Sequence, residues 1–209
     1  MMQKIKLLNK QKNPKKKILF LGYSNTQTKI IDELIKAKCQ IFHTSEEFNN
    51  SNFDLIISFG YKFIISKNFL DKIDFPAINI HISYLPYNRG SHPNFWSFYD
   101  NTPPGVSIHL IDNGIDTGPI LFQKKVFFEN NEITFRQTYN RLKVEAENLF
   151  LKNLDNILNQ KWVEKTQGNF GSIHFKKDLP KNFLGWDSNI KKEISRLNNK
   201  KKYAKTSNN

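Results

Sequence analysis

Two rhythms of apolar and polar positions divide the chain. Lys17-Ile18-Leu19-Phe20-Leu21-Gly22 is a continuous apolar run closed by glycine, the pattern of a strand buried on both faces. Ile30, Ile31, Leu34 and Ile35 then recur at helical spacing. A short strand over 40–43, a polar loop over 44–52 and a second buried run over 53–59, ending at Gly60, follow in turn. Residues 66–73 read as a helix and Ala77-Ile78-Asn79-Ile80-His81-Ile82-Ser83 as the next strand. Strands alternating with helical stretches predict an α/β fold, a mostly parallel, doubly wound sheet covered on both faces.

The rhythm changes after Pro86. Residues 87–91 form a loop, and Pro93 suits the first turn of a helix running through Trp96 and Tyr99, which Thr102-Pro103-Pro104-Gly105 ends as a turn. Val106, Ile108 and Leu110 alternate with Ser107, His109 and Ile111 as a strand. Asp112-Asn113-Gly114 breaks it, and 121–128 reads as another strand. Thr134 and Gln137 have capping-box spacing. Leu142, Ala146, Leu149, Phe150, Leu154, Ile157 and Leu158 then make one apolar stripe that predicts a helix over 134–160. Past Lys161 short extended pieces surround Trp162 and residues 173–175. The chain divides into a basic tail (1–17), an α/β domain (18–160), a short C-terminal extension (161–187) and a second basic tail (188–209).

Charge alters this picture less than its total suggests. The 209 residues carry a formal net charge of +13, which would fit a nucleic-acid binder. Residues 1–17 contribute +7 and residues 188–209 contribute +6, so 18–187 is neutral, with 18 basic and 18 acidic residues. The charge thus sits on ends rich in Lys, Asn and Ser, which read as solvated tails with at most a weak affinity for anionic partners. A nucleic-acid partner is not expected. The single cysteine, Cys39, excludes an intrachain disulfide and reads as a buried thiol in a reducing compartment. No apolar run has signal-peptide or membrane-span length, so a cytoplasmic protein without a membrane partner is expected.

The first strand–helix turn of a parallel sheet is where a dinucleotide fingerprint would lie. It reads Gly22-Tyr23-Ser24-Asn25, without G-x-G-x-x-G, and no Walker sequence occurs, so phosphate cradling by a glycine-rich loop is unsupported. No Cys/His cluster has metal-ligand spacing, and no metal is expected. In the strand before Leu85-Pro86, alternation puts Asn79, His81 and Ser83 on one side. On an edge strand that side would face water. Following two strand–helix units, it reads equally as an interior strand whose carboxyl end lies where ligands bind in open α/β sheets. Asp112 and Asn113 fit Asx turns as well as a site, whereas Asp116, between two glycine-containing turns, is placed to orient an imidazole. His, Asn and Asp supply a base, a neutral donor for a developing oxyanion and an orienting carboxylate, a set suited to acyl transfer to an amine. G-x-S-x-G is absent, and Ser83 is the one candidate nucleophilic serine.

Three segments carry a family resemblance: Asn79-Ile80-His81-x-Ser83-x-Leu85-Pro86-x-x-Arg89-Gly90, Pro93-Asn94-x-Trp96-Ser97, and Gly105-Val106-Ser107-Ile108-His109-x-Ile111-Asp112-x-Gly114-Ile115-Asp116-Thr117-Gly118. Over about 17–178 the chain resembles the folate-dependent formyltransferases. The resemblance implies a Rossmann-like domain that uses N10-formyltetrahydrofolate as formyl donor, with Asn79, His81 and Asp116 as the catalytic set. It implies that the folate lies against Phe59, Tyr61, Phe63, Ile64 and Ile65 and against Asp112, Gly114 and Ile115. The Arg89–Ser97 stretch, with Gln167, Gly171, Ile173, His174, Lys177 and Asp178, is most similar to the sugar N-formyltransferases, which formylate a nucleotide-linked amino sugar. That likeness implies surface polysaccharide precursor synthesis and an acceptor site at Ser83, Tyr84, Arg89, Gly90, Pro93, Asn94 and Trp96. The C-terminal barrel of methionyl-tRNA formyltransferases is not expected.

His92 stands where the likeness calls for an acidic residue and Asn113 where Glu is common, so the acceptor sugar stays open. His109 and His174 are assigned to structure or solvent, with substrate contact left open for His109. Glycinamide ribonucleotide as acceptor, hydrolysis of formyltetrahydrofolate and, more distantly, a non-enzymatic nucleic-acid binder remain as alternatives. Trp162 and Trp186 fit a homodimer interface or a cap on the core.

Overall fold

The computed structural model describes residues 5–49, 52–131 and 133–206; the loop expected over 44–52 and the outermost parts of both basic ends lie partly outside them. In chain order the elements are β1 (Lys6–Leu7), β2 (Lys17–Gly22), α1 (Ile30–Lys36), β3 (Gln40–Thr44), β4 (Leu55–Phe59) and α2 (Lys67–Leu70). Then come β5 (Ala77–His81), β6 (Arg89–Gly90), α3 (Pro93–Tyr99), β7 (Gly105–Leu110) and β8 (Ile120–Lys125). The chain continues through α4 (Phe135–Lys152), α5 (Leu154–Leu158), β9 (Ile173–His174) and α6 (Ile190–Thr206). Seven strands make one sheet in the order β1-β3-β2-β4-β5-β7-β8. Five of them run the same way, and β1 and β7 run against them, giving the mixed, mostly parallel sheet of an α/β fold.

The two faces of the sheet are covered unequally. One buries Ile18, Phe20, Ile57, Ile78, Ile80, Val106 and Ile108 against Ile30, Ile31 and Leu34 of α1 and Leu142, Ala146, Leu149 and Phe150 of α4. Burying each such side chain contributes ~1.5–3 kcal/mol, so this is the main source of cohesion. The other face sets Leu19, Leu21, Ile56 and Ala77 under Phe53 and Phe69, with Phe48 and Tyr61 alongside. Its helical cover is the single turn of α2, capped by Ser66 Oγ on the Phe69 amide. The helix expected over 66–73 stops early because the Lys72 and Ile73 amides reach back three residues, to Phe69 and Leu70, ahead of Pro76.

The helix expected over 134–160 is two helices. Thr134 and Gln137 form the reciprocal cap of α4. At Asn153 the chain turns, the side chain donating to Leu149 O at 2.8 Å, before α5 resumes. The break leaves Ile157 and Leu158 in the same core as Leu142, so the apolar stripe survives it.

Both basic ends differ from the solvated tails expected. β1 pairs antiparallel with β3, and Asn9 locks the turn by donating to Cys39 O and accepting from the Ile41 amide. At the other end, α6 buries Ile190, Glu193 and Leu197, the two apolar ones in a third cluster with Phe95, Trp96 and Phe135. A few apolar side chains at strand or helix spacing hold lysine-rich segments on the body. The extension 161–187 also joins it: β9 pairs parallel with β6, Trp162 packs on the main core, and Phe183 and Trp186 pack on the third cluster.

Candidate active site

β5 lies inside the sheet, parallel to β4 and antiparallel to β7, and the register sets Ser58, Asn79 and His109 side by side. This row belongs to the thinly covered face, in line with Leu21 and Thr44. His81, two residues beyond Asn79, points the same way. Here the apolar cover ends, and Ser58, Asn79 and His109 line an open cleft.

The loop after β7 brings the carboxylate. Asp112 Oδ1 accepts from the Gly114 amide at 3.0 Å and from Thr117 Oγ1 at 2.7 Å. The return is so tight that a Cβ on Gly118 would stand 1.9 Å from Leu110 O. Asp116 takes the left-handed conformation (φ +53°), which Asp tolerates better than most residues. Its Oδ1 accepts from Asn79 Nδ2 at 3.1 Å and lies 3.3 Å from His109 Nε2. Its Oδ2 accepts from the Gly90 amide at 2.8 Å and lies 3.6 Å from His81 Nδ1. Burial pushes this carboxyl up, but His81, His109 and the Gly90 amide outweigh it and hold Asp116 well below the usual carboxylate range.

The neighbouring rings have defined partners. His109 Nδ1 donates to Leu110 O at 2.7 Å, and its Nε2 lies 3.3 Å from both Asn79 Nδ2 and Asp116 Oδ1. His81 Nε2 lies 3.2 Å from Asn88 O, so both its nitrogens face oxygens and the ring can carry a proton at either one. The result is one buried anion, two imidazoles and an amide in mutual contact. Among the described residues no group of His, Cys, Asp and Glu side chains is arranged to hold a metal ion.

Two clefts meet over this cluster, sharing Tyr61, Asn79, Gly90 and Asp116. The first is lined by Phe63, Ile64, Ile65 and the loop carrying Asp112, Gly114 and Ile115. The second is lined by Tyr23, Phe59, His81, Ile82, Pro93 and Tyr139. An apolar slot formed by His92, Asn94, Phe135, Arg136 and Trp186 adjoins the second cleft and shares Ile82, Pro93 and Tyr139 with it. In the slot the His92 and Trp186 rings lie 5.1 Å apart, and burial, with Lys176 nearby, lowers the His92 pKa and favours its neutral form.

A family model described as formyl transferase matches residues 8–154, more than half of the chain. The chain belongs to the formyl transferase family. It is 32% identical over 127 residues to dTDP-4-amino-4,6-dideoxyglucose formyltransferase of Mycobacterium bovis, a match covering 61% of this chain and 53% of the relative. It is 35% identical over 116 residues to methionyl-tRNA formyltransferase of Wolbachia pipientis subsp. Culex pipiens, covering 55% of this chain and 38% of that one. The match therefore spans about half or less of these curated relatives' length. The fold matches the formyltransferase PseJ from Anoxybacillus kamchatkensis, solved in complex with UDP-4,6-dideoxy-4-formamido-L-AltNAc and tetrahydrofolate. That match has a TM-score of 0.79 and 38% identity, over 85% of this chain and 97% of PseJ. A sugar N-formyltransferase from Shewanella shares the fold at a TM-score of 0.67 with 21% identity, over 81% of this chain and 82% of that one.

In this family member the sequence-predicted residues fall into two groups. Asn79, His81 and Asp116 converge, and Tyr61, Phe63, Ile64, Ile65, Asp112, Gly114 and Ile115 line the first cleft, while Phe59 lies in the second. Gly90, Pro93 and Asn94 line the second cleft or the slot. Ser83, Tyr84, Arg89 and Trp96 line none of the three, and each has a partner within the protein. Ser83 Oγ donates to Tyr87 O, and Tyr84 packs under Lys125, whose Nζ is 5.3 Å from the ring centroid. Arg89 gives Nε and Nη2 to Gln167, and Trp96 stacks on His174 at 3.9 Å. His174 is structural, 2.8 Å from Asp100 Oδ2 but out of line for a hydrogen bond. His109 belongs to the site, not to solvent, and is 2% exposed.

The site also holds residues that the sequence did not assign to it. Tyr23 and Tyr139 share a short hydroxyl–hydroxyl bond beside the second cleft, with Lys143 Nζ 4.7 Å over the Tyr23 ring. Burial and the Tyr139 contact push the Tyr23 hydroxyl up, so it stays neutral. Tyr23 directly follows β2 at the ligand-binding edge of the sheet, a positional signal that the missing glycine fingerprint obscured. Trp186 is held by its carbonyl, which accepts from the Arg136 amide at 2.8 Å, a pairing without local sequence pattern.

Proposed function

We propose that the protein transfers the formyl group of N10-formyltetrahydrofolate to the amino group of a nucleotide-linked amino deoxysugar. The observation that carries this reading is the Asp116 carboxylate fixed between Asn79, His81 and His109 where two clefts meet. The first cleft fits the donor. Phe63, Ile64 and Ile65 offer an apolar wall to a flat heterocycle, and the backbone around Asp112–Asp116 offers hydrogen bonds to its edge. The second cleft and the apolar slot fit the acceptor, with the His92 and Trp186 rings available to a nucleobase. PseJ, crystallised with a formamido sugar nucleotide and tetrahydrofolate, supports the substrate class at 38% identity.

Bound in the first cleft, the donor supplies a formyl carbon attached to a nitrogen leaving group. Asn79, with one N–H turned from His109 to the cleft, donates to the carbonyl oxygen as the acceptor amine attacks and negative charge grows there. His81, with Nε2 turned from Asn88 O to the cleft, takes the proton that the attacking nitrogen loses and returns one to the departing nitrogen, so the transfer is proton-neutral. Asp116 holds the His81 ring and balances its charge at the moment it is cationic. By the same reading the product is a surface polysaccharide precursor made in the cytoplasm. Among the described residues no helix is long and apolar enough to cross a membrane.

The test offers N10-formyltetrahydrofolate and a panel of nucleotide-linked amino sugars to the purified protein. Mass spectrometry follows the formamido product and absorbance the released tetrahydrofolate. Equal amounts of the two are expected for at least one acceptor. Rapid donor loss without any amine would instead mean hydrolysis, and inertness across the panel would defeat this acceptor class.

A further inference from the structure

We infer that Gln167, in the extension beyond the family-matched residues, is a positioning residue that sets the reach of the Asp116 carboxylate. The inference rests on the formyl-transfer reading above. Gln167 Nε2 donates to the backbone oxygens of Asp116 and Gly118, both at 2.8 Å. Its Oε1 accepts from Arg89 Nε at 3.0 Å and from Arg89 Nη2 at 2.8 Å. Two donors and two lone pairs are the full capacity of a primary amide, so every one is engaged.

These bonds close a ring. Arg89 precedes Gly90, whose amide holds Asp116 Oδ2 at 2.8 Å, and Gln167 holds the Asp116 carbonyl. The catalytic aspartate is thus gripped at its main chain by one side of the ring and at its carboxylate by the other. The parallel pairing of β6 with β9 fixes the second grip: the Arg89 and Ser91 amides bond to Ser172 O and His174 O, which leaves the intervening Gly90 amide facing Asp116. Gly90 is left-handed (φ +85°), and a Cβ there would stand 2.3 Å from His174 O, so the strands approach as closely as glycine permits. Two residues before Gln167, Lys165 exchanges backbone bonds with Ile120 at 2.8 and 2.9 Å, which anchors the segment to β8. Asp112 ties down the first half of the loop from within, whereas Asp116 has these outside holds. Its distances to His81 and His109 leave little slack, and a misplacement near 1 Å typically costs rate far more than binding.

The experiment compares the full-length wild type with Gln167→Ala, Gln167→Met and Gln167→Glu, reading kcat, both KM values and amide hydrogen exchange by NMR. For Ala and Met, kcat is expected to fall roughly 10- to 100-fold with both KM values within about twofold. The Gly90 amide is expected to exchange at least tenfold faster while those of β2 and β4 keep their wild-type rates. Gln167→Glu retains an acceptor for Arg89 but sets an oxygen against two carbonyls, so it fails to rescue. Wild-type kcat in Gln167→Glu, or an unchanged Gly90 exchange rate in either neutral variant, would overturn the role. Should the wild type formylate no acceptor, the formyl-transfer reading falls, and Gly90 exchange still decides the brace.

Discussion

Asp116 and Asp187 are both held more acidic than a free carboxylate, yet in opposite settings. Asp187 is 73% exposed and takes a two-pronged contact from Arg136, Nε at 2.5 Å and Nη2 at 2.8 Å, which is the chief cause of its shift. Asp116 is 13% exposed, and its largest influence, burial, works against the charge that His81 and His109 sustain. Water hydrates Asp187 with or without Arg136, and such a pair contributes little. A buried anion depends on its partners, and removing one leaves the rest uncompensated. The same direction of shift therefore marks a surface latch in one region and a reaction site in the other.

The sharpest way to break this contrast is Asp116→Asn. Asn keeps the left-handed backbone accessible but removes the anion, so turnover should fall roughly 10³- to 10⁴-fold with the circular dichroism spectrum unchanged. Asn79→Ala comes next, at roughly 10²- to 10³-fold in kcat for one lost oxyanion donor. A near-native rate in either would remove the cluster from the chemistry. Trp186→Ala probes the slot beside the surface latch. It should raise the acceptor KM by roughly 10-fold while the folate KM holds, the size of one lost base–aromatic stack.

Acid titration sharpens the comparison further. A carboxylate with a depressed folded pKa stabilises the fold above its unfolded value of about 4 and loses that contribution as pH falls through the lower folded value. The stability gap between wild type and Asp116→Asn should therefore narrow in urea titrations as the pH drops below about 4. A gap that stays level would mean the carboxylate is not held by its partners. The smallest effect is expected for Asp187→Asn, with melting temperature and turnover at wild-type values.

Much of the sheet is legible in the sequence because its strands are buried and its turns are marked. Ile18 to Leu21 and Ile78 to Ile80 read as strands by apolarity alone, and Thr134 with Gln137 announces the start of α4. The ends are not legible in the same way. Lysine dominates their composition, and the contacts that fold them, such as Asn9 to Cys39 and Leu197 to the Phe95 cluster, join residues far apart in the chain. The site divides along the same line. Asn79 and His81 are readable from alternation within one strand and Asp116 from its turn, but His109 enters through the register of β5 on β7. Ser83, Arg89 and Trp96 follow the family pattern yet contact the protein's own scaffold, because a motif constrains residue type without saying whether a side chain meets ligand or scaffold.

Ser58, Asn79 and His109 stand at one level on three adjoining strands, so their separations are set by the sheet's own spacing. Asp116 reaches that rail from a loop, so its place depends on the holds of the Gly90 amide and Gln167 rather than on the sheet. Activity gained or lost by heating, ligand or distant substitution should thus register first as travel of a single oxygen pair, making this centre a gauge with one needle.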